Sequence, residues 1–344
     1  MEKTEGKATR LAQMEQLLLA HPEGLSRAEV ARRLGVHRST IGRYVEALSQ
    51  MGVPLWEDER RVGILRDAYQ VKVRMTVHEA LAIHLAARLL ATRLDKQNPH
   101  AASALRKLGK ALKRLAPLIS HHLLLSADVM EDQAKRQDPV FMNVLETLTR
   151  AWSDGRKVKV WHWHEETARV FEYTLSPYFI EPYAVGRTVH VIGFREPPGA
   201  VRTLKVERIR RAELLHDRYE IPADFDPRSL LSDAWGIWYT EEEPVEVVLR
   251  FHPRVAHRVK ETRWHPSEAV EEQPDGAVVW RAKVAEPQEM LPWIRGWGAD
   301  VEVLGPETLR ETLMGEARSL AQLYGWQVGG QTASRSVLDD FFGG

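Results

Sequence analysis

The chain has 344 residues, which suits two or three domains and more than one hydrophobic core. Its 48 Lys plus Arg balance 48 Asp plus Glu, 44% of residues are apolar and 28% are charged, so disordered and fibrous classes are excluded and net charge announces no polyanionic partner. Without cysteine there is no disulfide framework, no thiolate metal site and no cysteine nucleophile. No apolar run reaches the ~20 residues of a membrane helix, and Met1 to Arg10 lacks an apolar signal core, so a cytoplasmic, bacterial-type protein without a membrane partner is expected.

A first helix is predicted from about Lys7 to Ala20, with Leu11, Met14, Leu17 and Leu18 on one side. Ser26 and Glu29 form a capping box that opens a second helix, burying Ala28, Val30, Ala31 and Leu34. Leu34-Gly35-Val36 then supplies a tight turn with glycine at the left-handed position, and a third helix follows over about His37 to Met51. With Ile41, Val45 and Leu48 as its core stripe, Arg38, Ser39, Thr40, Arg43 and Tyr44 are left on its exposed N-terminal half. In a helix-turn-helix that half enters a major groove.

Pro54 to Trp56 and Val62 to Leu65 are predicted as two strands around a charged tip, a wing carrying Arg60 and Arg61. Between Gly24 and Gly52 five arginines (Arg27, Arg32, Arg33, Arg38, Arg43) face two acids (Glu29, Glu46), so the local field attracts phosphate although the chain is neutral. A protein-interaction module with solvated arginines would use the same parts. The succession of cap, glycine turn, polar recognition helix and wing favours double-stranded DNA.

From Thr76 the period stays helical to about Met130. Thr76 and Glu79 make another capping box, Val77, Leu81, Leu85 and Leu89 form a stripe, and Leu105, Leu108, Leu112 and Leu115 repeat it before Pro117 stops the helix. Opposite lie Arg106, Lys107, Lys110, Lys113 and Arg114, read as a solvated face in preference to a second DNA contact. Helices this apolar on one side must pack on something, and a two-fold mate is the candidate. A further helix starts at Asp138-Pro139, with Phe141, Val144, Leu145, Leu148 and Trp152 inward and Gly155 at its end.

From Lys157 to about Leu215 the pattern changes to strands: Val158 to His164, Val170 to Ile180, Arg187 to Phe194 and Val201 to Leu214. Short antiparallel strands of this length suggest a small SH3-like β-barrel. In the last strand a period of two places Arg202, Leu204, Val206 and Arg208 on one face, with Lys205 between them, and the two arginines span roughly 20 Å. Such a pair could bracket an extended anion. His162 and His164 share a strand face, half of a metal site with no third ligand recognisable, so no metal is expected. Neither Gly-x-Ser-x-Gly, His-Glu-x-x-His nor a Walker loop occurs, and no enzyme activity, catalytic residue or cofactor is expected.

The stretch Ser176-Pro177-Tyr178 through Gly186, then Val189-His190-Val191-Ile192-Gly193-Phe194, then Arg202 to Ile209, resembles the core signature of the WYL-domain transcriptional regulators. The naming Trp-Tyr-Leu falls on Val189-His190-Val191 and is degenerate here; the arginines of the final strand match at Arg202 and Arg208. Ile221 to Asp226 resembles the family's segment leaving the WYL domain, while Arg263-Trp264-His265-Pro266-Ser267 and Val301-Glu302-Val303-Leu304 resemble its C-terminal WCX extension.

The resemblance implies an α+β multidomain chain: winged helix-turn-helix (1–70), helical linker or dimerisation region (71–135), SH3-like WYL domain (136–220), connector (221–243) and WCX domain (244–326). It also implies a homodimer that reads a near-palindromic operator. His162, His190, Arg202, Lys205 and Arg208 would hold an oligonucleotide or nucleotide-like anionic effector, and location would follow the nucleoid.

The extension reads independently as strand Val245 to Phe251, helix Pro253 to Lys260, strands Ala269 to Glu272 and Val278 to Val284, helix Pro287 to Trp297, strand Val301 to Leu304 and a long helix Pro306 to Tyr324 with Leu309, Leu313, Leu320 and Leu323 inward. That succession is ferredoxin-like. Arg250, Arg254, Arg258 and Arg263 are as consistent with ordinary surface positions as with a surface facing the barrel. An alternative function is a nucleic-acid-sensing accessory protein of a phage-defence enzyme, its tryptophans (Trp161, Trp163, Trp264, Trp297) stacking single strands. Residues 327–344 read as a flexible Gly/Ser/Thr-rich tail.

Overall fold

The computed structural model describes residues 6–71, 73–93, 95–183 and 186–326, with backbone alone over 90–93; the tail expected at 327–344 lies outside them. The chain divides into two compact units, Met1–Ala80 and Leu81–Gly344.

In the first unit, α1 (Lys7–Leu19), α2 (Arg27–Leu34) and α3 (Arg38–Gln50) enclose a core of Met14, Leu18, Val30, Ile41, Leu48 and Val62. The Ser26 hydroxyl accepts the Glu29 N–H (3.2 Å), the predicted cap, while the Glu29 carboxylate turns to Arg32 and Arg33. Gly35 closes α2 at φ 62°, with the Val36 N–H donating to Ala31 (3.0 Å) and the Gly35 N–H to Arg32 (3.3 Å). This is a Schellman turn, and it frees the chain to start α3 at a new angle.

The wing has one strand more than expected: β1 (Leu25–Ser26) pairs with β3 (Arg61–Ile64), which also pairs with β2 (Leu55–Glu57). Two helical expectations fail, the first being that Ala28 of α2 is exposed and not buried. Tyr44 is 6% exposed, so the core stripe of α3 is Ile41, Tyr44 and Leu48, and Val45 is only half-buried. A tyrosine ring buries apolar surface as a leucine side chain does, so the hydroxyl does not keep this residue on the solvent face.

Helix α4 (Val77–Arg93) starts on a reciprocal capping box, the Glu79 N–H donating to the Thr76 hydroxyl (3.2 Å) and the Thr76 N–H to the Glu79 carboxylate (2.6 Å). Of its apolar stripe, Leu81, Leu85 and Leu89 are exposed, while Ala80 and His84 are buried. Helices α5 (Pro99–Leu112) and α6 (Pro117–Met130) form a hairpin, Ser120 donating to the Gly109 carbonyl at 2.8 Å; Pro117 thus opens α6 as well as ending the helix before it. Leu115, the last residue of the second stripe, is exposed at the hairpin's turn.

Helix α7 (Pro139–Asp154) packs Phe141, Val144, Leu148 and Ala151 on a five-stranded antiparallel sheet; Trp152, expected inward, is exposed. The strands are β4 (Arg156–His164), β5 (Arg169–Tyr183), β6 (Thr188–Glu196), β7 (Ala200–Lys205) and β8 (Ile209–Arg218), in the order β7-β6-β5-β4-β8. The sheet is open, with β7 and β8 at its two edges, not the closed barrel the strand pattern suggested. A 3-10 turn over Val206–Arg208 splits what periodicity read as one strand. The following segment, with α8 (Pro227–Leu230), lays Tyr219, Phe225, Ile237 and Tyr239 against Tyr178, Phe179 and Ile192.

The C-terminal sheet contains β9 (Val245–Phe251), β10 (Ala269–Glu272), β11 (Val278–Val284) and β12 (Val301–Gly305) in the order β10-β11-β9-β12, every neighbouring pair antiparallel. Helices α9 (Pro253–Lys260), α10 (Leu291–Arg295) and α11 (Glu307–Leu323) accompany it, over a core of Val247, Leu249, Phe251, Trp280 and Ile294 with Trp235, Trp264, Trp293 and Trp297 packed around. On α11 only the first turns are covered: Leu309 is buried and Leu313 half-buried, whereas Leu320 and Leu323, predicted inward, are exposed.

Candidate nucleic-acid interface and ligand pocket

The N-terminal half of α3 is a cationic surface by elimination. Arg27 is taken by Glu57 (2.8 Å), Arg32 and Arg33 share Glu29, and the Arg61 guanidinium donates to the Glu23 carbonyl (3.1 Å). Arg38 and Arg43 are exposed, and neither meets an acid among the described residues. Ser39 is exposed beside them, its N–H donating to the imidazole of the cap residue His37 (3.4 Å), and Thr40 is half-buried. Tyr44 faces the core and leaves this surface.

At the wing tip the Asp58 carboxylate accepts the Arg60 and Arg61 N–H groups (2.7 and 2.6 Å), and these bonds hold its pKa below the ordinary carboxylate value. The turn is therefore fixed with the Arg60 side chain outward. Arg61 reaches back to the protein instead.

The second site is a cavity of about 720 Å³ in the larger unit. It gathers all five residues singled out for ligand binding, His162, His190, Arg202, Lys205 and Arg208, from β4, β6, β7 and the 3-10 turn. The route differs from the one the periodicity implied. Leu204 and Val206 face the core under α7, so Thr203 and Lys205 are the alternate residues turned to the cavity. Arg208 reaches it because the turn at Val206–Arg208 breaks the period of two, and there it pairs with Glu165.

The remaining walls come from Tyr183, Thr188, Ile237, Trp238, Tyr239 and Glu286, none of which the sequence pattern singled out. Nothing local marks them: residues 237–239 and 286 meet β7 only through the fold. Arg202 and Lys205, with Arg208 paired to Glu165, outnumber the one lining acid, Glu286, and favour an anion. Tryptophan and tyrosine rings give it flat apolar surface.

Its two histidines are held neutral. His162 is 6% and His190 8% exposed; both ring nitrogens of His162 and the Nδ1 of His190 have no hydrogen-bond partner among the described residues. Burial pushes both down to about 4, assisted by His164, Arg208 and Arg195 around His162 and by Lys205 and Arg208 around His190. A neutral imidazole both donates and accepts, so these buried atoms leave hydrogen-bonding capacity unused beside the cavity. No group of three or more metal-ligating side chains occurs among the described residues.

Arg250 and Arg254 are paired with Asp275 and Asp300, Arg258 lies 4.9 Å from the Trp297 ring, and Arg263 donates to the Pro266 carbonyl, each a local engagement. Of the basic face on α5, Arg106 pairs with Asp128 (3.2 Å) and Glu131 (2.7 Å). Trp161 lies against Lys159 and Arg211 and Trp163 against Arg210, while Trp264 and Trp297 pack on the C-terminal core.

Three family profiles match in succession: an HTH domain over residues 10–64, a WYL domain over 143–214 and a WCX domain over 243–321. No curated protein matches the chain. Among solved structures it is similar to proteasome accessory factor B/C (PafBC) of Arthrobacter aurescens, at 17% identity and TM-score 0.28, covering 96% of this chain and 50% of that one. It is also similar to a CRISPR Cas-related protein, at 13% identity and TM-score 0.42, covering 74% of this chain and 75% of that one. The chain spans about half the length of the Arthrobacter protein. No described helix is long and apolar enough to cross a membrane. With an N-terminal helix-turn-helix, a WYL domain and a WCX domain in that order, the chain belongs to the WYL-domain family of transcriptional regulators.

Proposed function

We propose that the protein is a ligand-responsive transcriptional regulator that reads a near-palindromic operator as a homodimer and senses a nucleotide-like or oligonucleotide anion in its pocket. The observation that carries the reading is the inequality among the arginines of the helix pair: Arg27 is paired with Glu57, and Arg32 and Arg33 share Glu29, while Arg38 and Arg43 on α3 are exposed without an acid. Phosphate attraction is thereby strongest on the helix that a helix-turn-helix lays in the major groove, with Arg60 of the wing beside it. The pocket is read as a sensing site, not a catalytic one, and the site of action as the bacterial nucleoid.

The domain folds fit this reading. Five strands in the order β7-β6-β5-β4-β8, with a 3-10 turn before the last, support an SH3-like domain left open at one seam. The C-terminal order β10-β11-β9-β12, with helices after β9 and β11, supports a ferredoxin-like one. The exposed leucines of α4 are the surface on which a two-fold mate would close.

Competition binding tests the function. Labelled duplex DNA carrying the region upstream of the protein's own gene should be displaced by the same unlabelled duplex and not by either single strand. Equal displacement by any single strand would overturn the regulator reading in favour of the accessory one.

A further inference from the structure

The C-terminal ferredoxin-like module reaches the pocket through one buried carboxylate. Glu289, in the 3-10 turn Pro287–Met290, is 4% exposed. It accepts the backbone N–H groups of three successive residues, Gly236 (2.9 Å), Ile237 (2.8 Å) and Trp238 (3.2 Å). Consecutive amides converging on one anion form a nest, and here the anion is built into the chain. Burial pushes the Glu289 pKa up against the pull of those amides, and burial together with this carboxylate pushes the Tyr183 phenol up to about 12. A carboxylate this deep is tolerated only where its lone pairs are used.

The approach is close enough to demand glycine. A Cβ at Gly236 would lie 2.3 Å from the Tyr183 ring and 2.9 Å from the Glu289 carboxylate. The amides held in this way belong to the cavity's own wall: Ile237, Trp238 and Tyr239 line it, as do Tyr183 and, three residues before Glu289, Glu286. Ile237 is buried against Tyr178, Phe179 and Ile192, whereas Trp238 is 52% exposed. Packing alone therefore holds Trp238 loosely, and the bond from its backbone N–H to the carboxylate is what ties this stretch of backbone to the wall.

We propose that Glu289 is the positioning residue of the pocket: by fixing the 236–238 amides it sets Trp238 and Tyr239 on the cavity that holds Arg202, Lys205 and Arg208, so the C-terminal module builds the surface that reads the ring-bearing part of an anionic ligand. The inference rests on the pocket being an effector site. It divides the labour within that site. The β7 cations and Arg208 take the phosphate, and the wall held by Glu289 distinguishes what the phosphate is attached to.

The test uses the full-length protein and its Glu289→Gln variant, with Glu289→Asp as a second variant that keeps the charge one methylene shorter. Amide hydrogen exchange at Gly236, Ile237 and Trp238 should accelerate about 100-fold in either variant while β4 to β6 stay protected. With inorganic phosphate and AMP as probes, AMP affinity should fall about tenfold while phosphate affinity changes less than about twofold. Unchanged exchange at the three amides, or equal weakening of phosphate and AMP, would overturn the assignment. If neither probe binds the unaltered protein the effector reading fails, and the exchange comparison alone decides whether Glu289 holds the wall.

Discussion

Arg38 and Arg43 stand on α3 without acids while their neighbours are paired, and that difference is measurable. Replacing either by alanine should weaken duplex binding by roughly 1–3 kcal/mol if it reads a base, or lower the slope of log affinity against log salt by about 1 if it contacts phosphate. Arg32→Ala, which removes a residue already shared with Glu29, should do neither; equal losses for all three would contradict the assignment. His162 and His190 make a second prediction. Folded, both are held down to about 4; unfolded, they titrate near the ordinary 6.5, so between these values the unfolded chain binds protons the fold refuses. Stability should be full above pH 6.5 and fall as pH drops towards 4, by roughly 3 kcal/mol per histidine at ~1.4 kcal/mol per pH unit. Urea unfolding between pH 7 and pH 4.5 checks it: His162→Gln and His190→Gln should each flatten the decline, and a decline as steep as the parent's would refute the neutral, buried state. At this scale the sequence was informative where chemistry is local. A basic run and two strand histidines marked five cavity residues, whereas Trp238, Tyr239 and Glu286 carry no local signal because only the tertiary fold brings them to β7.

The helices show what periodicity can and cannot say. Capping boxes at Ser26 and Thr76 and the glycine at position 35 placed α2, α4 and the turn before α3 to within a residue or two, because caps are chemistry between near neighbours. Periodicity marks an apolar face without naming what covers it. The α4 stripe of Leu81, Leu85 and Leu89 has the right spacing but faces outward, Leu85 being 60% exposed, since a pattern specifies a face and not what covers it. The same limit explains Leu320 and Leu323 on α11. In β7 the alternation failed for another reason, the 3-10 turn at Val206–Arg208, which no residue-level pattern announces. The account expects the α4 face to be covered by a second copy. Sedimentation of the parent protein at micromolar concentration should give a dimer, and Leu85→Lys with Leu89→Lys a monomer of unchanged helical circular dichroism; a monomeric parent would remove α4 as the interface.

Across the whole molecule the order of parts was more legible than any one of them, since helix-turn-helix, WYL and WCX segments succeed one another over residues 10–321. What had to come from the structure is how three stretches of the chain line one cavity, Arg202, Lys205 and Arg208 from the WYL domain, Trp238 and Tyr239 from the connector, and Glu286 from the WCX domain. A ligand there can act on DNA binding only by preferring one arrangement of the molecule over another. Arg202→Ala with Arg208→Ala should therefore abolish the effector response and leave duplex binding intact; equal loss of both would deny that sensing and reading are separable. The central claim, that α3 reads double-stranded DNA, is tested most directly by selecting binders from a random duplex library with the parent protein and with the Arg38→Ala, Arg43→Ala double variant. The account predicts an enriched inverted repeat for the parent that vanishes in the double variant. Enrichment of the same motif by both proteins, or of no duplex by the parent, would contradict it.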